Sequence, residues 1–110
     1  MKRLIALLVA VAAVAAVAAV PAFSATTHTV KVGPHTKFGP SRLHIHSGDT
    51  VRFRWTGSLP HNVVITKGPK RGKIAGVKTS GVVRKKFRTR GVYTIVCQIH
   101  AGMKLRLRVS

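Results

Sequence analysis

Near its end the chain reads Cys97-Gln98-Ile99-His100-Ala101-Gly102-Met103, a stretch that holds its one cysteine and its one methionine besides Met1. Cys-x-x-His on its own is a weak signal. Here a thioether follows three residues after the histidine, and a second histidine, His61, stands just after the turn Gly57-Ser58-Leu59-Pro60. One Cys, two His and one Met form the donor set of a mononuclear copper site with a trigonal His₂Cys plane and a weak axial thioether. Thiolate and thioether favour Cu(I), whereas imidazole suits both oxidation states. A rigid trigonal frame therefore lets one electron arrive or leave with little movement. Four protein donors leave no open position for a substrate. Zinc is the main competitor, but a thioether is a poor zinc ligand and structural zinc sites take more thiolates. Haem attachment needs a second cysteine, which the chain lacks.

The segments that must position these donors read as short strands. Thr27 to Val32 is rich in β-branched residues and is broken by Gly33-Pro34. Arg42 to His46 alternates, Ser47-Gly48-Asp49 turns, and Thr50 to Trp55 alternates again with Val51, Phe53 and Trp55 on one face. A further strand opens at Asn62. The Gly-, Lys- and Pro-rich segment from Lys67 to Ser80 reads as an exposed loop. Val83 to Thr89 reads as a basic strand anchored by Phe87. Val92–Val96 and Leu105–Val109 flank the Cys97–Met103 loop, where a rigid scaffold would present ligands. About seven or eight strands without helical periodicity predict an all-β, Greek-key antiparallel sandwich, with Trp55 and Phe53 in its core.

The first residues stand apart from this domain. Lys2 and Arg3 precede an unbroken apolar run, Leu4 to Val20, and then Pro21-Ala22-Phe23-Ser24. This is the pattern of a secretory signal peptide over residues 1–24, cut after Ser24 or, alternatively, after Ala25. An uncleaved membrane anchor is the competing reading, for which the Ala-rich run is slightly short against roughly 20 strongly apolar residues. Residues 25–110 then form one small domain whose core is marginal without a staple. A single cysteine cannot form a disulfide within the chain, so a bound metal is the natural staple.

Of the 20 Lys and Arg, eighteen lie beyond the leader and face one acid, Asp49, for a net charge near +17. A single carboxylate excludes chemistry that needs a pair of them. The charge steers the domain toward anionic surfaces. Of the remaining histidines, His44 and His46 share a strand face and read as solvated rather than as a second metal site. His28, near the mature N-terminus, could help bind adventitious copper but does not read as a site ligand, and His35 sits in a turn without an evident partner.

Taken together, these residues resemble the small blue copper proteins of the cupredoxin family, with amicyanin-like loop spacing. The resemblance rests on Phe38-x-Pro40, on Ser47-Gly48-Asp49-Thr50-Val51 leading into Trp55, on Pro60-His61-Asn62-Val63, and on Gly91 through Met103. It implies that His61, Cys97 and His100 are strong copper ligands, that Met103 is axial, and that Asn62 ties the two ligand loops together. It also implies an apolar electron port around His100, drawn from Pro60, Ile99, Ala101 and Met103. Gln98 and Ala101 depart from the Thr or Ser and the Pro common at those places.

The expected protein is exported to a periplasm, cell surface or medium. It is a monomer with one type 1 copper cycling between Cu(I) and Cu(II), and it is a carrier of single electrons rather than an enzyme. Its partner would be a redox protein with an acidic docking face. An anionic surface polymer or lipid head groups, with the basic segment 67–78 as a contact, are further candidates, and export disfavours nucleic acid. Two rival readings are a copper-delivery protein and a basic surface-binding module with a structural copper.

Overall fold

Alternation along each strand sorts side chains between a shared interior and two outer faces. The computed structural model, which describes residues 24–110, contains nine strands. They are β1 (Thr27–Val32), β2 (Phe38–Gly39), β3 (Arg42–Ile45), β4 (Thr50–Trp55), β5 (His61–Lys67), β6 (Gly72–Lys78), β7 (Val82–Lys86), β8 (Gly91–Val96) and β9 (Lys104–Val109). No helix occurs among the described residues. All but the last residue of the segment read as a signal peptide lies outside them.

The strands form two sheets, in the orders β2-β1-β4-β7 and β3-β9-β8-β5-β6. Val30, Val32, Val51, Phe53 and Trp55 from the first sheet meet Ile45, Ile95, Leu105, Leu107 and Val109 from the second. The all-β sandwich is the fold read from the alternation. Two details differ from that reading. The sheets are mixed, because β1 lies parallel to β4 and β3 parallel to β9. Alternation records which face a residue takes and carries no information on strand direction.

The segment from Lys67 to Ser80 is not all loop, since β6 occupies Gly72–Lys78 and pairs with β5. It escaped detection because it is an edge strand that buries only Ala75, with Ile74 partly covered. Its pairing also slips register between His61 and Val63 and again between Val63 and Val64. Such irregularity erases the period-2 signal. The basic strand expected over Val83 to Thr89 is present as β7 but ends at Lys86, and Phe87, just beyond it, is buried.

The single acid organises one end of the first sheet. Asp49 is buried and accepts hydrogen bonds from the backbone N–H groups of Thr26 at 2.9 Å and His46 at 3.0 Å. His28 Nε2 lies 3.0 Å from Oδ2, the oxygen that also accepts the His46 N–H, while Thr26 bonds Oδ1. The backbone bonds, followed by His28, hold the Asp49 carboxyl well below the usual carboxylate range. His28 is therefore a partner of Asp49 in this structure.

Candidate metal centre

The donors converge from strand ends that are far apart in sequence. His61 opens β5 and is wholly buried. Its carbonyl accepts the indole N–H of Trp55 at 3.0 Å, so the end of β4 positions the start of β5. Gly33 lies close to Nε2 of the ring. Its φ is +97°, and a β-carbon there would collide with the Thr56 carbonyl oxygen and sit 3.5 Å from His61 Nε2. Only glycine combines that backbone angle with so close an approach.

Cys97 and His100 come from the β8–β9 connection. The loop is closed by hydrogen bonds from Cys97 N–H to the Met103 carbonyl at 3.1 Å and from Met103 N–H to the His100 carbonyl at 3.3 Å. Cys97 and Met103 are buried and His100 is half-buried. His61 Nδ1 and His100 Nδ1 face each other at 3.1 Å, and Cys97 Sγ lies 3.5 Å from His100 Nδ1. Donor atoms of the three residues all lie within 4.8 Å of one another.

Two imidazoles and one thiol, shielded from water and with no carboxylate among them, suit a borderline or soft metal. If His61 turns the Nδ1 lone pair into the site, its proton sits on Nε2, which is buried without a hydrogen-bond partner. The His35 backbone lies near enough to favour the charged ring slightly, though not aligned as a hydrogen bond. Burial, then the neighbouring His100, dominate and push the His61 pKa down. A neutral imidazole is the form that binds metal.

Asn62 links the two loops through its side chain. Its Oδ1 accepts the Gln98 N–H at 2.7 Å, and its Nδ2 donates to Gln98 Oε1 at 3.1 Å. The residue flagged as a departure, Gln98, thus supplies one side-chain half of a two-bond clamp across 36 positions of sequence. Nothing in the local pattern announces that pairing.

Of the four residues expected for the apolar patch, Pro60, Ile99 and Ala101 are exposed, and Leu59 joins them. Met103 does not: at 1 % exposure it faces the core. His44 and His46 are exposed and both lie against Ser110 Oγ, at 2.7 Å and 3.4 Å. His35 adopts φ +64° in its turn.

Comparison with known proteins agrees with this geometry. A plastocyanin from the alga Ulva arasakii is 26 % identical over 85 residues, covering 66 % of this chain and 84 % of that protein. A reduced amicyanin variant superposes with a TM-score of 0.66 at 26 % identity, over 84 % of this chain and 89 % of that one. A copper-containing nitrite reductase from Thermus scotoductus superposes with a TM-score of 0.69 at 25 % identity. The match takes in 84 % of this chain but only 24 % of the reductase, so the likeness is to about a quarter of that protein. Residues 24–110 match the family model of copper binding proteins of the plastocyanin/azurin family. Sandwich, buried His-Cys-His cluster and family match coincide: the chain belongs to the plastocyanin/azurin family of blue copper proteins, the cupredoxins.

Proposed function

We propose that this protein is an exported carrier of single electrons, with one type 1 copper held by His61, Cys97, His100 and, axially, Met103. The observation that carries the reading is the convergence of His61 Nδ1, His100 Nδ1 and Cys97 Sγ, with His61 and Cys97 buried and His100 half-buried. Copper bound there supplies a one-electron couple between Cu(I) and Cu(II). The protein's part is to hold the donors still. Trp55 and Gly33 fix His61, the Asn62–Gln98 clamp fixes the loop beyond Cys97, and burial keeps His61 neutral. Met103, buried with its backbone bonded into the same loop, is the residue we assign as the thioether donor.

His100 is half-buried among exposed Leu59, Pro60, Ile99 and Ala101, an uncharged surface where a redox partner can approach. Loops 56–60 and 97–103 contain no Lys or Arg. Lys78, paired with His61, and Lys104, after Met103, flank these loops, and the large overall positive charge acts at long range, accelerating encounter with an acidic partner in a salt-dependent way. The basic leader, apolar run and small-residue site at Ala22 and Ser24 support export. A monomer is the expected state. With four protein donors and no carboxylate beside them, the site is suited to outer-sphere transfer and not to substrate turnover, so the protein is no enzyme.

The test is the visible spectrum after one equivalent of Cu(II), beside Cys97→Ser. An intense thiolate-to-copper charge-transfer band, bleached by reductant and missing from the variant, is expected. Weak bands alone, unchanged in Cys97→Ser, would refute the site. Rapid loss of the copper to small chelators would favour delivery over electron transfer.

A further inference from the structure

Charge is distributed unevenly along the sandwich. β5 runs from His61 away to Lys67, and β8 runs from Gly91 up to the residue before Cys97. β7 is antiparallel to β4, whose last residue, Trp55, bonds to His61. The β5–β6 turn with Lys67, Lys70 and Arg71 therefore gathers with Lys86, Arg88 and Arg90 at the end opposite His100. The copper end has no cation in its two ligand-bearing loops, and the far end is crowded with them.

At that far end lies a cavity of about 130 Å³. Four cations line it: Lys70, Lys85, Lys86 and Arg88. Its floor is Phe87, Thr89 and Tyr93, and Phe87 and Tyr93 pack edge to face at 5.2 Å. Lys85 Nζ lies over the Phe87 ring at 5.6 Å. Although 87–89 lies outside any strand, its backbone is pinned. Gly48 N–H donates to the Phe87 carbonyl at 2.7 Å, Ser47 Oγ to that of Arg88 at 2.6 Å, and Tyr93 Oη to that of Thr89 at 2.6 Å. Pro69 seats on Gly91, where a β-carbon would lie 2.6 Å from the proline ring, and so brings Lys70 to the rim.

Among the described residues, none of these cations forms an ion pair within 4 Å. Asp49 is the only acid, and its carboxylate is taken up by Thr26, His46 and His28. Four like charges around a rigid cavity repel one another and attract an oxyanion, which pays back the repulsion. The positive charge also continues from the cavity onto both outer sheet faces, where Arg52 is paired with Arg84 and Arg42 with Arg106. Like charges directly across a ladder are destabilising. A planar bilayer can meet one of these faces at a time, whereas a flexible chain can follow both.

We propose that this cavity is a binding site for phosphate groups of an anionic polymer, which grips the protein by the end opposite His100 and leaves the copper end free. The proposal does not depend on the metal reading. The experiment titrates the purified protein with long-chain inorganic polyphosphate, following backbone amide shifts and the dissociation constant. Three proteins are compared at equal ionic strength. They are the wild type, the triple variant Lys70→Gln, Lys85→Gln, Arg88→Gln, and the charge-matched control Lys37→Gln, Lys78→Gln, Lys104→Gln, whose cations lie toward the copper end. Saturable shifts centred on 85–90 and Tyr93 are expected. Binding should weaken about tenfold or more in the cavity variant and less than about threefold in the control. The single Arg88→Gln variant, altering one exposed side chain, should show a partial loss and guards against misfolding of the triple. Equal weakening in both triples would mean that net charge alone binds, and would overturn the site. Vesicles of phosphatidylglycerol and phosphatidylcholine bound as tightly as polyphosphate, with the same dependence on the cavity cations, would overturn the polymer.

Discussion

Asn62 is the residue on which the rigidity of the ligand loop should most visibly depend. Asn62→Ala removes two hydrogen bonds, at 2.7 Å to the Gln98 N–H and at 3.1 Å to Gln98 Oε1. A typical intramolecular hydrogen bond contributes about 1 kcal/mol net. Gln98 is exposed, so water can replace Asn62 at both groups and no donor is left stranded in the core. The expected cost is therefore about 2 kcal/mol and no more. Gln98→Ala deletes only the longer, side-chain bond and keeps the backbone N–H donor. It should cost about 0.5–1 kcal/mol, and a double-mutant cycle should return a coupling of similar size. The assay is urea unfolding of the metal-free protein, read by Trp55 fluorescence, with the copper absorption spectrum recorded alongside. Asn62→Ala should also shift the charge-transfer band, because the residue after Cys97 loses its anchor, whereas Gln98→Ala should move it less. The reasoning fails if Gln98→Ala costs as much as Asn62→Ala, or if Asn62→Ala leaves both stability and spectrum unchanged.

Other perturbations probe the remaining supports. Gly33→Ala puts a side chain at φ +97° against the Thr56 carbonyl, and should lower stability by about 2 kcal/mol or more while loosening copper binding at His61; a wild-type melting curve would contradict it. Met103→Leu preserves core volume and should cost less than about 1.5 kcal/mol, yet shift the reduction potential measurably. An unshifted potential would remove Met103 from the ligand set. Because the folded pKa of Asp49 is depressed, its contribution to stability is full above the unfolded carboxylate pKa and fades as pH falls through the folded value. Asp49→Asn should lower the melting temperature at neutral pH and flatten the acid limb of the stability–pH curve; an unchanged acid limb would show that Asp49 is not its source.

Features encoded within a few residues were readable directly. The Cys97-x-x-His100-x-x-Met103 loop spans one strand connection, so its donors share a neighbourhood whatever the rest of the chain does. Strands β1, β4, β8 and β9 declare themselves by alternation, because each has one face in the core and one in water. His61 was readable as a candidate donor from its type and its place after the Gly57–Pro60 turn, but its distance to His100 was not readable at all.

What the tertiary structure alone decided is every relation between distant segments. It set β1 parallel to β4 and β3 parallel to β9, and it paired the irregular edge strand β6 with β5. It turned Met103 into the core and away from the surface patch, bound Asn62 to Gln98, and gave the lone acid three donors from separate segments. Residue type and spacing determine which groups can do chemistry and which face of a strand they occupy. Which of them meet depends on the packing of two sheets around a shared core, a property of the whole chain that no local period encodes.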